Sequence, residues 1–75
     1  MKPKTFEVGK SYYCGKRILR VTARGISVSN NKAFIVLEGL VAAELDTDKD
    51  GNEEAKYFIT PSVMSTIKAV DVVEE

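Results

Sequence analysis

The sequence has no histidine and a single cysteine, Cys14. Without histidine, the Ser/His/Asp and Cys/His nucleophile arrangements are excluded, as are zinc sites built on histidine or on several cysteines. One cysteine rules out an intramolecular disulfide and suits a reducing compartment. No apolar run approaches the roughly 18 residues that a membrane-spanning helix needs. The opening MKPKTFEVGK carries positive charge with no apolar stretch behind it, which is not the pattern of a secretory signal. The expected location is therefore cytoplasmic, with no membrane contact. Internal repeats and low-complexity segments are also missing.

What is present describes a small folded chain. Hydrophobic residues make up 44% and charged residues 29% of the sequence, a soluble globular balance rather than a disordered one. Its 75 residues predict one domain, residues 1–75. A domain of that size buries only about 60% of the surface of its unfolded chain and leaves little room for a deep cleft. A non-enzymatic binding or structural role is the expectation.

Most apolar residues recur with a period near two in short runs broken by turn residues, the pattern of half-buried strands. In KSYYCG, Tyr12 and Cys14 share one face and Ser11 and Tyr13 the other. In RILRVTAR, the spacing predicts a core face of Leu19, Val21 and Ala23 and an outer face of Ile18, Arg20, Thr22 and Arg24. Gly25 is expected to break this strand, with Ile26 and Val28 resuming it in phase. SNNK, residues 29–32, predicts a hairpin turn because asparagine tolerates positive φ.

Residues 33–37, AFIVL, are apolar on both faces and predict a central strand, after which Gly39 permits a bend. Residues 39–45 fit either a strand or a short helix. AKYFIT predicts a strand paired with LVAAEL, with Tyr57 and Ile59 on the face opposite Phe58. Thr60-Pro61 is a helix-start signal, so one helical turn is expected over residues 62–66, with Val63 and Met64 closing the barrel end. IKAVDVV predicts the last strand. The expected fold is mainly β: a small antiparallel SH3-like barrel of five or six strands with a short helical turn before the last.

The opening FEVGKSYYC, residues 6–14, resembles the start of small SH3-like proteins encoded in Gram-positive bacterial and prophage genomes, which begin with a similar Phe-x-Val-Gly-Lys-x-Tyr pattern. The resemblance covers about a tenth of the chain and no catalytic residues. It implies the barrel and a bacterial or phage setting, and nothing about activity.

DTDKDGNEEAKY, residues 46–57, places Asp46, Asp48, Asp50 and Gly51 at the spacing of the first half of a calcium loop. Calcium takes about six to eight oxygens, and alternating aspartates on a curved loop direct carboxylates to one point. An EF-hand is a poor match, because its twelfth position needs a bidentate glutamate and here is Tyr57. The segment is more similar to the DxDxDGxxD hairpin loops of integrin-type propellers, with Glu54 in place of the last aspartate. Asp46, Asp48, Asp50 and Glu54 are the candidate calcium ligands that this similarity implies, and no other cofactor is expected. Equally, DKDGN is a solvated hairpin turn, since Asp-Gly is a strong turn signal. Magnesium held by these acids for phosphate chemistry would lack a substrate pocket.

Net charge is zero but unevenly distributed: residues 1–32 hold eight Lys or Arg against one acid, whereas residues 33–75 hold three against ten. Such asymmetry points to an acidic partner surface or to nucleic acid. Lys16, Arg17, Arg20 and Arg24 are the candidate contact cations, with Tyr12 and Tyr13 as stacking surfaces, an arrangement that small β-barrels use to hold single strands. The competing explanation is cross-strand ion pairing between the basic and acidic segments. Neutral net charge favours a protein partner over nucleic acid. A lone cysteine alternating with Tyr12 reads as a small buried hydrophobe.

Overall fold

Alternation of apolar and polar residues produces six antiparallel strands in a meander: β1 (Ser11–Cys14), β2 (Arg17–Ile26), β3 (Ala33–Leu37), β4 (Val41–Thr47), β5 (Glu53–Ile59) and β6 (Ile67–Lys68). This computed structural model describes residues 2–39, 41–59 and 65–74. The sheet curls nearly shut. Beyond β6, Tyr12 bridges Val72, Tyr13 N donates to Asp71 O at 3.0 Å, and Val73 N donates to Ser11 O at 2.8 Å. Closing the sheet removes open edges at β1 and leaves one interior.

The fold is the mainly β antiparallel barrel that the periodicity predicts. Residues 41–47 are strand rather than helix. No helix occurs among the described residues. The expected helical turn, with its Thr60-Pro61 start and the Val63 and Met64 plug, falls largely on residues 60–64, outside the described residues. Ser65 and Thr66 are not helical.

The interior is filled by Phe6, Tyr12, Cys14, Leu19, Val21, Ile35, Leu37, Ala43, Leu45, Ala55, Ile67 and Ala69. Ala23 is not among them, although strict alternation from Leu19 places it there. Val21 pairs with Leu37 and Ala23 with Val36, so Thr22 is an extra residue facing no partner. That bulge reverses the phase of the strand, because side chains alternate and one extra residue exchanges the two faces. Thr22 Oγ1 donates to Val36 O at 3.1 Å, giving the disrupted ladder a side-chain hydrogen bond. The same bulge lets β2 change partners. Its first half pairs with β1, Val21 exchanges backbone hydrogen bonds with residues 9 and 10, and its second half pairs with β3.

Gly25 does not break β2 as the sequence suggests. The Phe34 ring lies over it, and a Cβ there would come within 3.0 Å of the ring. Glycine at this position admits the aromatic side chain of the neighbouring strand rather than ending its own. Ile26 ends β2 and Val28 is fully exposed in the turn, so neither resumes a buried face. A second bulge leaves Tyr57 unpaired, between Phe58, which faces Ala43, and Lys56, which faces Glu44. Its φ is +55°, a region costly for an aromatic residue.

Candidate partner-binding face

The candidate contact residues are distributed by β2 and its bulge. Before the bulge, the outer face carries Tyr13 opposite Ile18 and Ser11 opposite Arg20. Tyr13 is 48% and Ile18 55% exposed, so this apolar pair is open to solvent. Gly15 and Lys16 make the turn, and Arg17 begins the return strand opposite Cys14. Among the described residues, no carboxylate lies within ion-pair distance of Lys16 or Arg17. Arg20 Nε is 3.2 Å from Glu38 Oε1, with both side chains more than half exposed. Such a pair contributes little and leaves the guanidinium able to exchange partners.

Three expected members do not belong to this face, the first being Arg17, which pairs across the ladder with buried Cys14 and so lies on the side opposite Ile18. Tyr12 is completely buried, its ring edge-on to Phe6 at 4.7 Å. Its hydroxyl accepts from Glu7 N at 2.8 Å and donates to Thr5 O at 3.4 Å, and burial raises its pKa above the ordinary tyrosine value. It offers nothing to a partner. Arg24 is displaced by the Thr22 bulge: it pairs across the ladder with buried Ile35 and therefore projects to the side opposite Arg20. There its two terminal nitrogens reach the two oxygens of Glu53, each at 2.6 Å, and Nη1 also donates to Phe6 O at 3.1 Å.

Glu53 is the residue whose role the sequence does not disclose. Burial acts to raise its pKa, but hydrogen bonds from Arg24 and from Phe6 N, the latter at 2.9 Å, outweigh burial and hold the carboxyl below the usual glutamate value. Its hydrogen bond with Glu53 raises the Arg24 pKa further. Lys4 completes the clasp, its amide donating to Asn52 Oδ1 and its carbonyl accepting from Glu53 N. Residues 4–7 are thereby held across the barrel mouth with Phe6 inserted. One signal was legible: Glu53 sits among acids that alternation alone assigns to a loop.

That acidic segment forms a compact hairpin turn. Asp48 N donates to Asn52 O, Gly51 N donates to Asp48 O, and Gly51 adopts the φ of +83° that the connection requires. Asp48 Oδ1 accepts from both Asp50 N and Asn52 N. Slight desolvation opposes ionisation there, but these amide donors prevail and lower the Asp48 pKa. Asp46 lies in β4 with Oδ1 accepting from Thr47 N, and faces Glu54 across the ladder. Glu54 is 3.6 Å from Lys56 Nζ. Among the described residues, no three acidic, cysteine or histidine side chains gather as a metal site.

Set against protein-family models, curated proteins and solved structures, the chain matches none of them. Function therefore rests on the geometry of the face itself.

Proposed function

We propose that this chain is a non-enzymatic binding module that contacts a protein partner through the outer face of β1 and β2, with Tyr13 and Ile18 at its centre. Lys16 lies in the adjoining turn and Arg20 extends the face, whereas Arg17 does not share it. The observation that carries this is the exposed Tyr13–Ile18 pair with Arg20 on the same face and, in the adjoining turn, Lys16, which has no acidic neighbour among the described residues, in a barrel whose interior is already filled. Aromatic and arginine side chains are enriched at protein interfaces, where an apolar centre excludes water and a charged rim orients the partner. A bacterial or phage accessory protein working in the cytoplasm suits the size of the chain and the pattern of residues 6–14.

The test is a photo-crosslinking residue at position 13, expressed in bacterial cells. A protein adduct at that position, lost with Ile18→Glu and weakened by Arg20→Glu, is the expected result. An adduct indifferent to both substitutions would overturn the assignment. Nucleic acid is the second reading, favoured by the surplus of cations in residues 1–32. It requires a labelled single-stranded oligonucleotide to bind with an affinity that falls steeply as salt rises. A contact centred on Tyr13 and Ile18 responds weakly to salt.

A further inference from the structure

A second open surface lies around the other end of β2. The turn at residues 27–30 and the outer face of β3, β4 and β5 bound a groove of about 510 Å³. Phe34, Ala42, Ile59 and Val28 provide its apolar lining, and Glu44 stands in its wall. Ile59 is 73% exposed and Val28 entirely so. The Glu44 carboxylate accepts from Asn30 Nδ2 at 3.2 Å, and among the described residues no cation lies within ion-pair distance of it. The groove thus presents an apolar floor with an acid that faces Lys56 across the ladder but is not ion-paired with it, while the β1–β2 hairpin presents an apolar pair beside Lys16 and Arg20.

We infer that the groove receives the β1–β2 hairpin of a second copy of this chain. This rests on the proposed function and names the partner of that same face. In the complex, Ile18 and Tyr13 of one copy cover Phe34, Ala42 and Ile59 of the next, while Lys16 or Arg20 meets Glu44. The two surfaces complement each other in charge and in apolar character. A chain of zero net charge also brings no overall repulsion to the encounter. The hairpin opens β2 at Arg17 and the groove adjoins its far end beyond Ile26, so one molecule cannot satisfy both. The contact is heterologous: each copy keeps one free hairpin and one free groove, and growth continues until a ring closes or a linear chain extends.

Two exposed substitutions separate the halves of this contact. Ile18→Glu sets an acid against the apolar floor and leaves the groove intact, whereas Ile59→Asp sets an acid in that floor and leaves the hairpin intact. Sedimentation velocity from micromolar to millimolar protein is expected to show wild-type mass rising beyond a dimer. Each variant alone should associate at least about tenfold more weakly, as for the loss of a central apolar anchor. Mixed in equal amounts, the variants should form a heterodimer that grows no further, a result that an unfolded variant could not produce.

A wild-type chain that stays monomeric at millimolar concentration overturns the self-association but leaves the Tyr13 face, since the crosslinking experiment can still trap a different protein. Association that Ile18→Glu leaves unchanged overturns the inference, because the hairpin is then not what joins the copies. Association abolished by Ile18→Glu and untouched by Ile59→Asp overturns the groove as the seat while keeping the hairpin.

Discussion

Arg20 and Arg24 are four residues apart on one strand, yet the molecule uses them differently. Arg20 lies on the outer face and meets Glu38 at 3.2 Å with more than half of each side chain in water. Arg24 forks onto Glu53, whose side chain is only 12% exposed, and also holds the Phe6 carbonyl. The contrast teaches that the value of an ion pair is set by what else depends on it. Arg20 can be released to a partner at little cost. Arg24 and Glu53 clasp the N-terminal segment over the core, and neither can leave without orphaning a partly buried charge.

The largest effect should come from the ring that this clasp retains. Phe6→Ala is expected to cost about 3–5 kcal/mol in urea unfolding, since it empties a buried aromatic site against Tyr12. The exposed neighbour Val8 replaced by Ala should change stability by less than about 0.5 kcal/mol. Equal losses would mean that residues 4–7 are not part of the cooperative fold.

Next in size is the pair itself. Arg24→Met should destabilise by about 2 kcal/mol because Glu53 loses its main donor, whereas Arg20→Met should cost under about 0.5 kcal/mol. Double-mutant cycles sharpen the contrast, since the coupling of Arg24 to Glu53 should exceed that of Arg20 to Glu38 several-fold. Comparable couplings would erase the distinction between the two arginines.

Acid offers a third approach. The Glu53 carboxyl is held below its ordinary value, so its contribution is complete above the unfolded glutamate pKa of about 4.3 and is lost as pH falls through the lower folded value. Wild-type urea midpoints should therefore drop below about pH 5 more steeply than those of Glu53→Gln.

Smallest of all should be the response to calcium. Asp48 already accepts two amides within its own turn, and no three acids gather among the described residues. Millimolar calcium is expected to leave the melting temperature where chelator leaves it. A calcium-dependent rise abolished by Asp48→Asn would instead make the hairpin a metal site.

Much of the fold was legible because strand alternation is local. Tyr12 with Cys14 and Leu19 with Val21 fall on the interior as their spacing predicts, whereas AFIVL, apolar on both faces, does not disclose that Ile35 and Leu37 are its buried pair. The Asn31 turn, with φ of +57°, and the bend at Gly39, with φ of +81°, also follow from residue type. The candidate face was legible in part: Lys16, Arg20 and Tyr13 remain with it, whereas Tyr12, Arg17 and Arg24 do not. Tyr12 leaves because its spacing with Cys14 already marks a core face, and that signal outweighs any stacking role. Arg24 leaves through the Thr22 bulge, which no residue in RVTARG announces.

The sequence by itself determined strand content, the buried alternation, the turn chemistry and the uneven placement of charge, all properties of residues and their near neighbours. Tertiary structure alone decided which cations stay free. Glu53 reaches Arg24 only because barrel closure brings residues 29 positions apart to 2.6 Å, and Glu38 reaches Arg20 only through the register of β2 with β3. Pairing across the barrel depends on register, and one unpaired threonine is enough to exchange the two faces of a strand.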